Sequence, residues 1–173
     1  MNHWYLVASL PYLRFGEKPL VSRAAFLSAC TDWLAEEDVA VLQAVLDNRC
    51  SPDNEVARRW WNNEIELRNA VVRVRAKNRS TDPSRFIRPH EGLSLSVEKM
   101  VTDAFTRANP LEQEAELDRV RWSQADDLAL IAPFGFAGVF AFAVKLRIAE
   151  RWASLDDVAG QSKVEEFIEQ ATA

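Results

Sequence analysis

Apolar residues recur every three or four positions along most of this chain, as on one face of an α-helix. Phe26, Leu27, Cys30 and Leu34 follow Ser22 at that spacing, and serine is a preferred residue for beginning a helix. The pattern predicts seven helices, at about residues 23–34, 35–48, 55–78, 94–108, 110–131, 136–152 and 154–171. Before Pro11 it instead favours a short strand or extended segment. The predicted fold is all-α, with about seven helices and at most one short N-terminal strand.

Prolines and small polar residues separate the predicted helices, and one loop is long enough to mark an internal boundary. Residues 80–93 contain Pro83, Pro89 and Gly92, which do not continue a helix. A length of 173 residues is typical of one domain. We expect one helical domain over residues 1–173, or two lobes that meet at the loop 80–93.

The stretch from 128 to 144 has no charged residue. Three interpretations of it are open: a membrane span, a buried core or a surface that docks a partner. Its seventeen residues are at the lower limit for a membrane-spanning helix. Pro133 and two glycines interrupt it, which a tight turn between two buried helices explains better. We therefore expect no membrane span, a bend at Pro133, and contacts of Phe140 and Phe142 with other helices. Such a core can extend into an interface.

Charge is distributed unevenly along a chain whose net charge is −5. Residues 58–88 contain nine basic and three acidic residues, a balance of +6, and the rest of the chain has a balance of −11. The overall acidity argues against nucleic-acid binding. The basic stretch is either a solvated helix face or a docking surface for an acidic protein, in which Arg73 and Lys77 would take part.

The residue types needed for common catalytic and metal sites are scarce. The only histidines are His3 and His90, and the sequence has no H-E-x-x-H, no C-x-x-C and no glycine-rich phosphate loop. His90 stands beside Glu91, but two adjacent residues do not make a metal site without further ligands. Cys30 and Cys50 are expected to be free thiols in a reducing compartment. We expect no catalytic residue, metal or cofactor.

The predicted helix at 55–78 carries charges within its apolar face. On a helical wheel, Glu64, Arg68 and Arg75 fall among apolar side chains rather than on the polar face. The apolar arc comprises Trp60, Trp61, Ile65, Leu67, Val71, Val72 and Val74, and the predicted polar face comprises Asn62, Glu66, Arg73 and Lys77. These charges form either an internal ion pair or a groove that receives a partner's helix.

A carboxylate in this apolar setting needs a cation. We expect Glu64 to be mostly buried and to contact Arg68, four residues away, or a basic side chain from another helix. Lys145 is the leading candidate from another helix, because it too is surrounded by apolar residues on its wheel and must find a carboxylate or reach water.

Four stretches of the sequence resemble a bacterial family encoded within V-type (A/V-type) ATPase operons. They are "YLVASLPYL", "EIELRNAVVRVRAKNR", "NPLEQEAELDRVRW" and "AVKLRIAERWASLD", and together they span nearly the whole chain. That family is similar to the C subunit of the A/V-type ATPases, which is named d in eukaryotes. The C subunit has a Glu-Ile-x-Asn-Leu-x-x-x-x-Arg-x-Lys type of motif. Its matching positions here are Glu64, Ile65, Asn69, Arg75 and Lys77; in a second copy Lys145 matches, and Arg147 replaces an acidic residue.

The C subunit is an all-helical funnel on the cytoplasmic face of the membrane ring, where it receives the foot of the rotor shaft. The resemblance implies a non-catalytic central-stalk adaptor whose partners are the rotor shaft and the membrane ring, with no small-molecule substrate. This chain is about half the length of a typical C subunit. The resemblance also implies a cytoplasmic protein held peripherally at the inner membrane by the ATPase complex. The alternative is a small helical enzyme or ligand-binding protein with a pocket lined by Trp60, Trp61, Phe142 and Trp152.

Overall fold

The computed structural model describes residues 3–92 and 94–155, and within them the chain is all-α. The helices are α1 (Trp4–Ser9), α2 (Arg23–Thr31), α3 (Glu36–Leu46), α4 (Glu55–Asn78), α5 (Leu95–Ala104), α6 (Pro110–Ile131) and α7 (Phe136–Ala153), with one short 3-10 turn, Ser84–Phe86. The all-α prediction is confirmed. The N-terminal strand is not formed, because the segment before Pro11 coils into α1 and buries Leu6. The helix predicted at 154–171 lies almost wholly outside the described residues.

Side-chain caps determine where most of the longer helices begin. Ser22, Asn54 and Ser94 each accept a hydrogen bond from the backbone N–H three residues later, at 3.1–3.3 Å. Asn109 accepts from the N–H of Leu111 at 2.8 Å, and a proline occupies the first turn of α6. These caps satisfy amide groups that have no partner within the helix. They therefore fix the N-termini of α2, α4, α5 and α6.

The uncharged stretch forms the end of α6, a turn and the buried helix α7. α6 ends at Ile131 and α7 begins at Phe136, so the chain bends at Pro133 as predicted. Phe140 is fully buried, and the ring of Phe142 packs against that of Phe26 in α2, with centroids 5.1 Å apart. In the part of the chain that the structure describes, no helix combines the length and apolarity needed to cross a membrane.

Two hydrophobic clusters share α4 and α6. The larger joins α1, α2, α3 and α7 to the first half of α4, at Trp60, and to the second half of α6, at Leu128. The smaller joins α5 to the second half of α4, at Leu67, and to the first half of α6, at Leu117. The division between the clusters therefore crosses α4 and α6, rather than falling at the loop 80–93.

A row of polar side chains on α4 holds the end of that loop. Asn62 bonds both backbone groups of Glu91 at 2.7–2.8 Å, and Asn69 bonds both backbone groups of Arg88 at 2.7–3.0 Å. Between them, buried Glu66 accepts from the N–H of Ser94. On the predicted polar face, Glu66 is therefore buried and Asn62 half-buried, because the loop supplies backbone groups that these polar side chains bind.

Candidate functional site

Glu64 is the centre of a charged cluster between the two hydrophobic clusters. Its side chain is only 3% exposed, and its neighbours along α4 are Trp60 in the larger cluster and Leu67 in the smaller one. Arg68 donates to Oε1 at 2.8 Å. From α6, Arg121 donates through Nε to Oε2 at 2.9 Å and through Nη2 to Oε1 at 3.2 Å. Such a two-point contact between guanidinium and carboxylate is a strong, oriented ion pair.

Asp118 supplies a second buried carboxylate, one turn before Arg121 on α6. Its side chain is 2% exposed, and Oδ1 accepts from Arg121 at 2.9 Å. Oδ2 accepts from Arg151 of α7 and from the indole N–H of Trp152, the latter at 2.8 Å. The two carboxylates therefore connect α4, α6 and α7 through arginines.

Arg147, one turn before Arg151 on α7, reaches the same region from the other side. Its Nη1 donates to the backbone carbonyl of Val45 at 3.1 Å and to Oδ1 of Asn48 at 2.7 Å. Both acceptors are neutral and lie at the end of α3. Among the described residues, Arg147 makes no salt bridge within 4 Å, unlike the other arginines of the cluster.

These side chains surround a polar cavity of about 260 Å³, which we call the arginine pocket. Its lining residues are Asn48, Glu64, Arg68, Asp118, Arg121, Arg147, Ile148 and Arg151. Four guanidinium groups and two carboxylates give the lining a formal charge of +2. Arg68 and Arg151 have side chains 40% and 49% exposed, so solvent reaches the pocket.

The pKa values in the pocket record the balance between burial and charge pairing. Burial alone raises the pKa of the Glu64 carboxyl, but Arg121 and Arg68 outweigh it and lower that pKa below its ordinary value. Burial lowers the pKa of the Arg121 guanidinium, but Glu64 and Asp118 raise it to a net value above the ordinary one. Burial lowers the pKa of Arg147, and here no directly bonded carboxylate offsets the effect. Glu64 and Arg121 are therefore held in their charged forms.

The prediction for the partners of Glu64 is confirmed for Arg68 and wrong for Lys145. Arg68 contacts Glu64, which is buried as expected, but Lys145 does not reach it. Lys145 instead pairs with Asp126 on α6 and lies 5.2 Å from the centroid of the Trp122 ring. Arg121 takes the place expected for Lys145, because its longer, forked side chain bonds both oxygens of Glu64 at once.

The other predicted residues of α4 separate into three environments. Trp60 is buried in the larger hydrophobic cluster, whereas Trp61 is half-buried, with the guanidinium of Arg68 5.3 Å from its centroid. Arg75 is exposed and lies 5.7 Å from the ring of Phe105, so its predicted place in the apolar face is wrong.

The predicted docking residues Arg73 and Lys77 also differ from each other. Arg73 donates to Glu98 of α5 at 2.8 Å and is half-buried. Lys77 is exposed. Arg73 is thus already paired within the chain, and Lys77 is the one available to a partner.

Of the aromatic residues expected to line a ligand pocket, Trp60, Phe142 and Trp152 belong to the larger hydrophobic cluster or its edge rather than to a cavity wall. Trp60 is fully buried, Phe142 packs on Phe26, and Trp152 donates to Asp118. None of them lines the pockets described in residues 3–92 and 94–155. The arginine pocket, by contrast, is lined mainly by charged side chains.

Asp118, Arg121, Arg147 and Arg151 are site residues that the sequence patterns did not predict. A signal for the first two is present in "LDRVRW", where an acid and a base three residues apart stand among apolar residues. Arg147 differs from the matched motif, which has an acid at that position. The pairing of Arg121 with Glu64 is hidden in the sequence, since 57 residues separate the two.

No group of three or more metal-ligating side chains occurs in the described part of the chain. His90 instead faces Asn69, whose amide nitrogen is 3.2 Å from its Nδ1. His90 therefore belongs to the contact between α4 and the loop.

A second distinctive surface lies where α1 meets the α6–α7 turn. The rings of Trp4, Tyr5 and Trp33 stack in sequence and are 48–59% exposed. The amide of His3 donates to the carbonyl of Phe134 at 2.6 Å, which joins this stack to the exposed residues of the turn. We call the set Trp4, Tyr5, Trp33, Leu130, Ile131 and Phe134 the apolar end surface.

Comparison of the chain with protein-family models, with curated proteins and with solved structures found no match. Its function is therefore inferred from its own residues and from the resemblance described above.

Proposed function

We propose that this protein is a non-catalytic adaptor in the central stalk of a V-type (A/V-type) ATPase, where it joins the rotor shaft to the membrane ring on the cytoplasmic side. The sequence resemblance to the operon family and to the C subunit of these ATPases suggests the identity of the complex. The all-α fold is compatible with that resemblance. The matched motif residues Glu64 and Asn69 are both buried, and they tie α4 to the rest of the protein.

The observation that carries a binding role is the apolar end surface. Isolated exposed apolar side chains are ordinary, but a contiguous aromatic and aliphatic group with a polar rim is typical of protein interfaces. The adjacent cavity of about 330 Å³ is lined by Ile131 and Phe136 together with the charged Asp38, Glu55 and Arg59. Acidic residues in that rim, and the acidic start of α3, disfavour anionic lipid. We infer that the occupant is a helical protein of the ATPase.

The ion pairs of the arginine pocket connect the helices along which a mechanical load would pass through the adaptor. A load applied at the apolar end surface enters α6 and α7, and the pairs of Arg121 and Arg151 connect these helices to each other and to α4. Ion pairs with this geometry fix the relative positions of the helices more than they add to the net stability of the fold. Transmission of torque needs such fixed positions and no catalytic group.

The decisive experiment is purification of the tagged protein from its own cells. Recovery of shaft and ring proteins in stoichiometric amounts supports the proposal, and their absence contradicts it. A double variant, Tyr5→Ser with Leu130→Ser, tests the surface. The matched control is Tyr12→Ser with Leu20→Ser, because these residues are 83% and 88% exposed but lie elsewhere. We expect the first variant to lose the ATPase proteins and the control to retain them. Equal recovery with both would reject the apolar end surface as the interface.

A further inference from the structure

The arginine pocket carries more positive charge than its own carboxylates neutralise. Both oxygens of Glu64 and both oxygens of Asp118 already accept hydrogen bonds from side chains of the cluster. Glu114 lies 3.9 Å from Arg151 at the rim, so four arginines face three carboxylates and one positive charge remains in excess. Excess charge of one sign in a partly buried cavity is costly unless a counter-charge enters it.

Unused donors are available to such a counter-charge. Arg147 donates only through Nη1, and Arg68 only through Nε, to groups within residues 3–92 and 94–155. Their remaining N–H groups belong to side chains that line the same cavity. A guanidinium presents its donors as a flat fork, which matches two oxygens of one oxyanion.

We propose that the arginine pocket is a binding site for a small oxyanion of the phosphate class, held by Arg147 and Arg68 with Arg151 at the rim. The volume of 260 Å³ is below the range of about 300–1,000 Å³ for sites of drug-sized ligands, which limits the occupant to a small molecule. A phosphate monoester carries a charge of about −1.5 to −2 at pH 7, which is opposite in sign to the excess charge of the pocket. Inorganic phosphate and the phosphate of a small monoester share this chemistry.

The proposal goes beyond the adaptor role and does not depend on it. It requires only the isolated full-length chain, so failure to bind phosphate leaves the ATPase proposal standing. Loss of the ATPase partners likewise leaves the phosphate site standing.

Isothermal titration of the full-length chain with inorganic phosphate, at an ionic strength kept constant with sodium chloride, tests the site. We expect one saturable site with a Kd below about 1 mM. Two further titrations use other anions. Glycerol phosphate tests whether the site prefers a phosphate monoester to the free ion, and succinate tests whether it prefers a dicarboxylate to a phosphate. Binding of glycerol phosphate at least as tight as that of inorganic phosphate assigns the site to a monoester. Weaker binding assigns it to the free ion. Succinate binding tighter than either phosphate overturns the proposal.

Variants then locate the site. Arg147→Gln should weaken phosphate binding about tenfold or more, because it removes the arginine that has no carboxylate of its own. Arg119→Gln is the matched control, since Arg119 lies on α6 beside the ring of Phe15 and not in the pocket. It should bind phosphate as the wild type does. If Arg147→Gln does not fold, as judged by circular dichroism, Arg68→Gln replaces it with the same expected loss. Absence of saturation, or equal weakening by Arg119→Gln, would overturn the proposal.

Discussion

At the scale of single residues, Glu64 combines burial with full charge pairing. A carboxylate removed from water is unfavourable in isolation, and Arg121 and Arg68 offset this by bonding both of its oxygens. Replacing Glu64 and both arginines together by well-packed apolar side chains can leave the stability unchanged. Removing only one of the three leaves the other charges without their partner. Glu64 is therefore the residue at which a single substitution is most informative.

Glu64→Ala should destabilise the protein by about 3–5 kcal/mol, because Arg121 would remain in a partly buried site without its main partner. Urea unfolding monitored by circular dichroism measures the change. Glu116→Ala on α6 is the control, since its carboxylate is half-buried and its arginine partners, Arg107 and Arg119, are mostly exposed. A loss below about 1 kcal/mol for Glu64→Ala would show that the pair is not desolvated.

The depressed pKa of Glu64 also predicts a dependence of stability on pH. A carboxyl whose folded pKa lies below its unfolded value contributes stability that is present above the unfolded pKa. That contribution is lost as the pH falls through the lower, folded pKa. The free energy of unfolding of the wild type should therefore decline below about pH 4.5, the ordinary value for this carboxyl.

Glu64→Gln removes the titrating group, so it should be less stable at pH 7 and should show a shallower decline in acid. Denaturant titrations at pH values from neutral to acid compare the two proteins. Parallel curves for variant and wild type would mean that other carboxyls account for the acid sensitivity.

Residue types and spacing predicted that Glu64 lies at the centre of a charged cluster, but they identified only one of the two arginines that contact it. Glu64 and Arg68 could be identified because they interrupt an apolar face four residues apart. Their meeting with Arg121 could not, because a helical wheel describes one helix and contains no information on the helix that packs against it. Arg75 illustrates the same limit, since the wheel placed it among apolar residues and the packing of α5 left it exposed.

At the scale of secondary-structure elements, local chemistry predicted where α2 to α7 begin, whereas α2 and α5 end three and four residues earlier than predicted and α1 was not predicted. The bounds of α4 agree with the prediction because Asn54 caps its first turn, and Pro133 separates α6 from α7 as expected. The faces of α4 were harder to predict, since polarity was equated with exposure to water. Glu66 and Asn69 show that polar side chains of a helix can instead be buried against a loop backbone, and the half-buried Asn62 binds the same loop.

Asn69→Ala should release the loop end from α4. The side chain is 1% exposed and makes two part-buried hydrogen bonds to the backbone of Arg88, so its loss leaves these backbone groups without their partner. We expect a destabilisation of about 2 kcal/mol and faster hydrogen exchange at the Arg88 amide. Asn62→Ala, which breaks the analogous but more exposed hydrogen bonds to the Glu91 backbone, is the control and should cost less, because Asn62 is only half-buried. A similar cost for both would contradict the role of burial.

Gly138 sets the close approach of α7 to the turn before it. A Cβ at this position would lie 2.2 Å from the carbonyl oxygen of Pro133, a backbone atom. Gly138→Ala should therefore destabilise the protein by about 1–3 kcal/mol, by overpacking. In an unobstructed helix the same change stabilises by about 0.5–1 kcal/mol. Thermal unfolding measures the change in stability. A loss of stability supports the close approach at Gly138, and a gain would mean that the turn leaves room for a Cβ.

At the scale of the whole molecule, an ionic layer separates two apolar clusters that the same two helices hold together. The sequence predicted a single helical protein or two lobes, and it placed the boundary at the loop with prolines. In the structure, the change from one hydrophobic cluster to the other lies within α4, between Trp60 and Leu67, and within α6, between Val120 and Ala125. Such a division leaves no trace in loop composition, because it follows from which helices pack together.

The basic stretch at 58–88 gives the last prediction, which tests docking and not folding. Arg73 is unsuitable for charge reversal, because it pairs with Glu98 and its replacement by an acid would place like charges together. Lys77 and Arg88 are exposed, so Lys77→Glu with Arg88→Glu should change the free energy of unfolding by about 1 kcal/mol or less. If an acidic protein of the ATPase docks here, association should slow, most strongly at low salt, because exposed charges are screened beyond about 10 Å at 0.1 M salt.

The matched control reverses Lys18 and Lys99, which are exposed, make no salt bridge among the described residues and lie outside the basic stretch. Both double variants change the net charge equally, so a general effect of charge would slow both. Stopped-flow mixing with the purified shaft proteins measures the association rates at low and high salt. Slowing by the first variant alone, and its disappearance in high salt, would assign the basic stretch to docking. Association of the first variant at the wild-type rate in low salt would mean that the stretch is a solvated helix face.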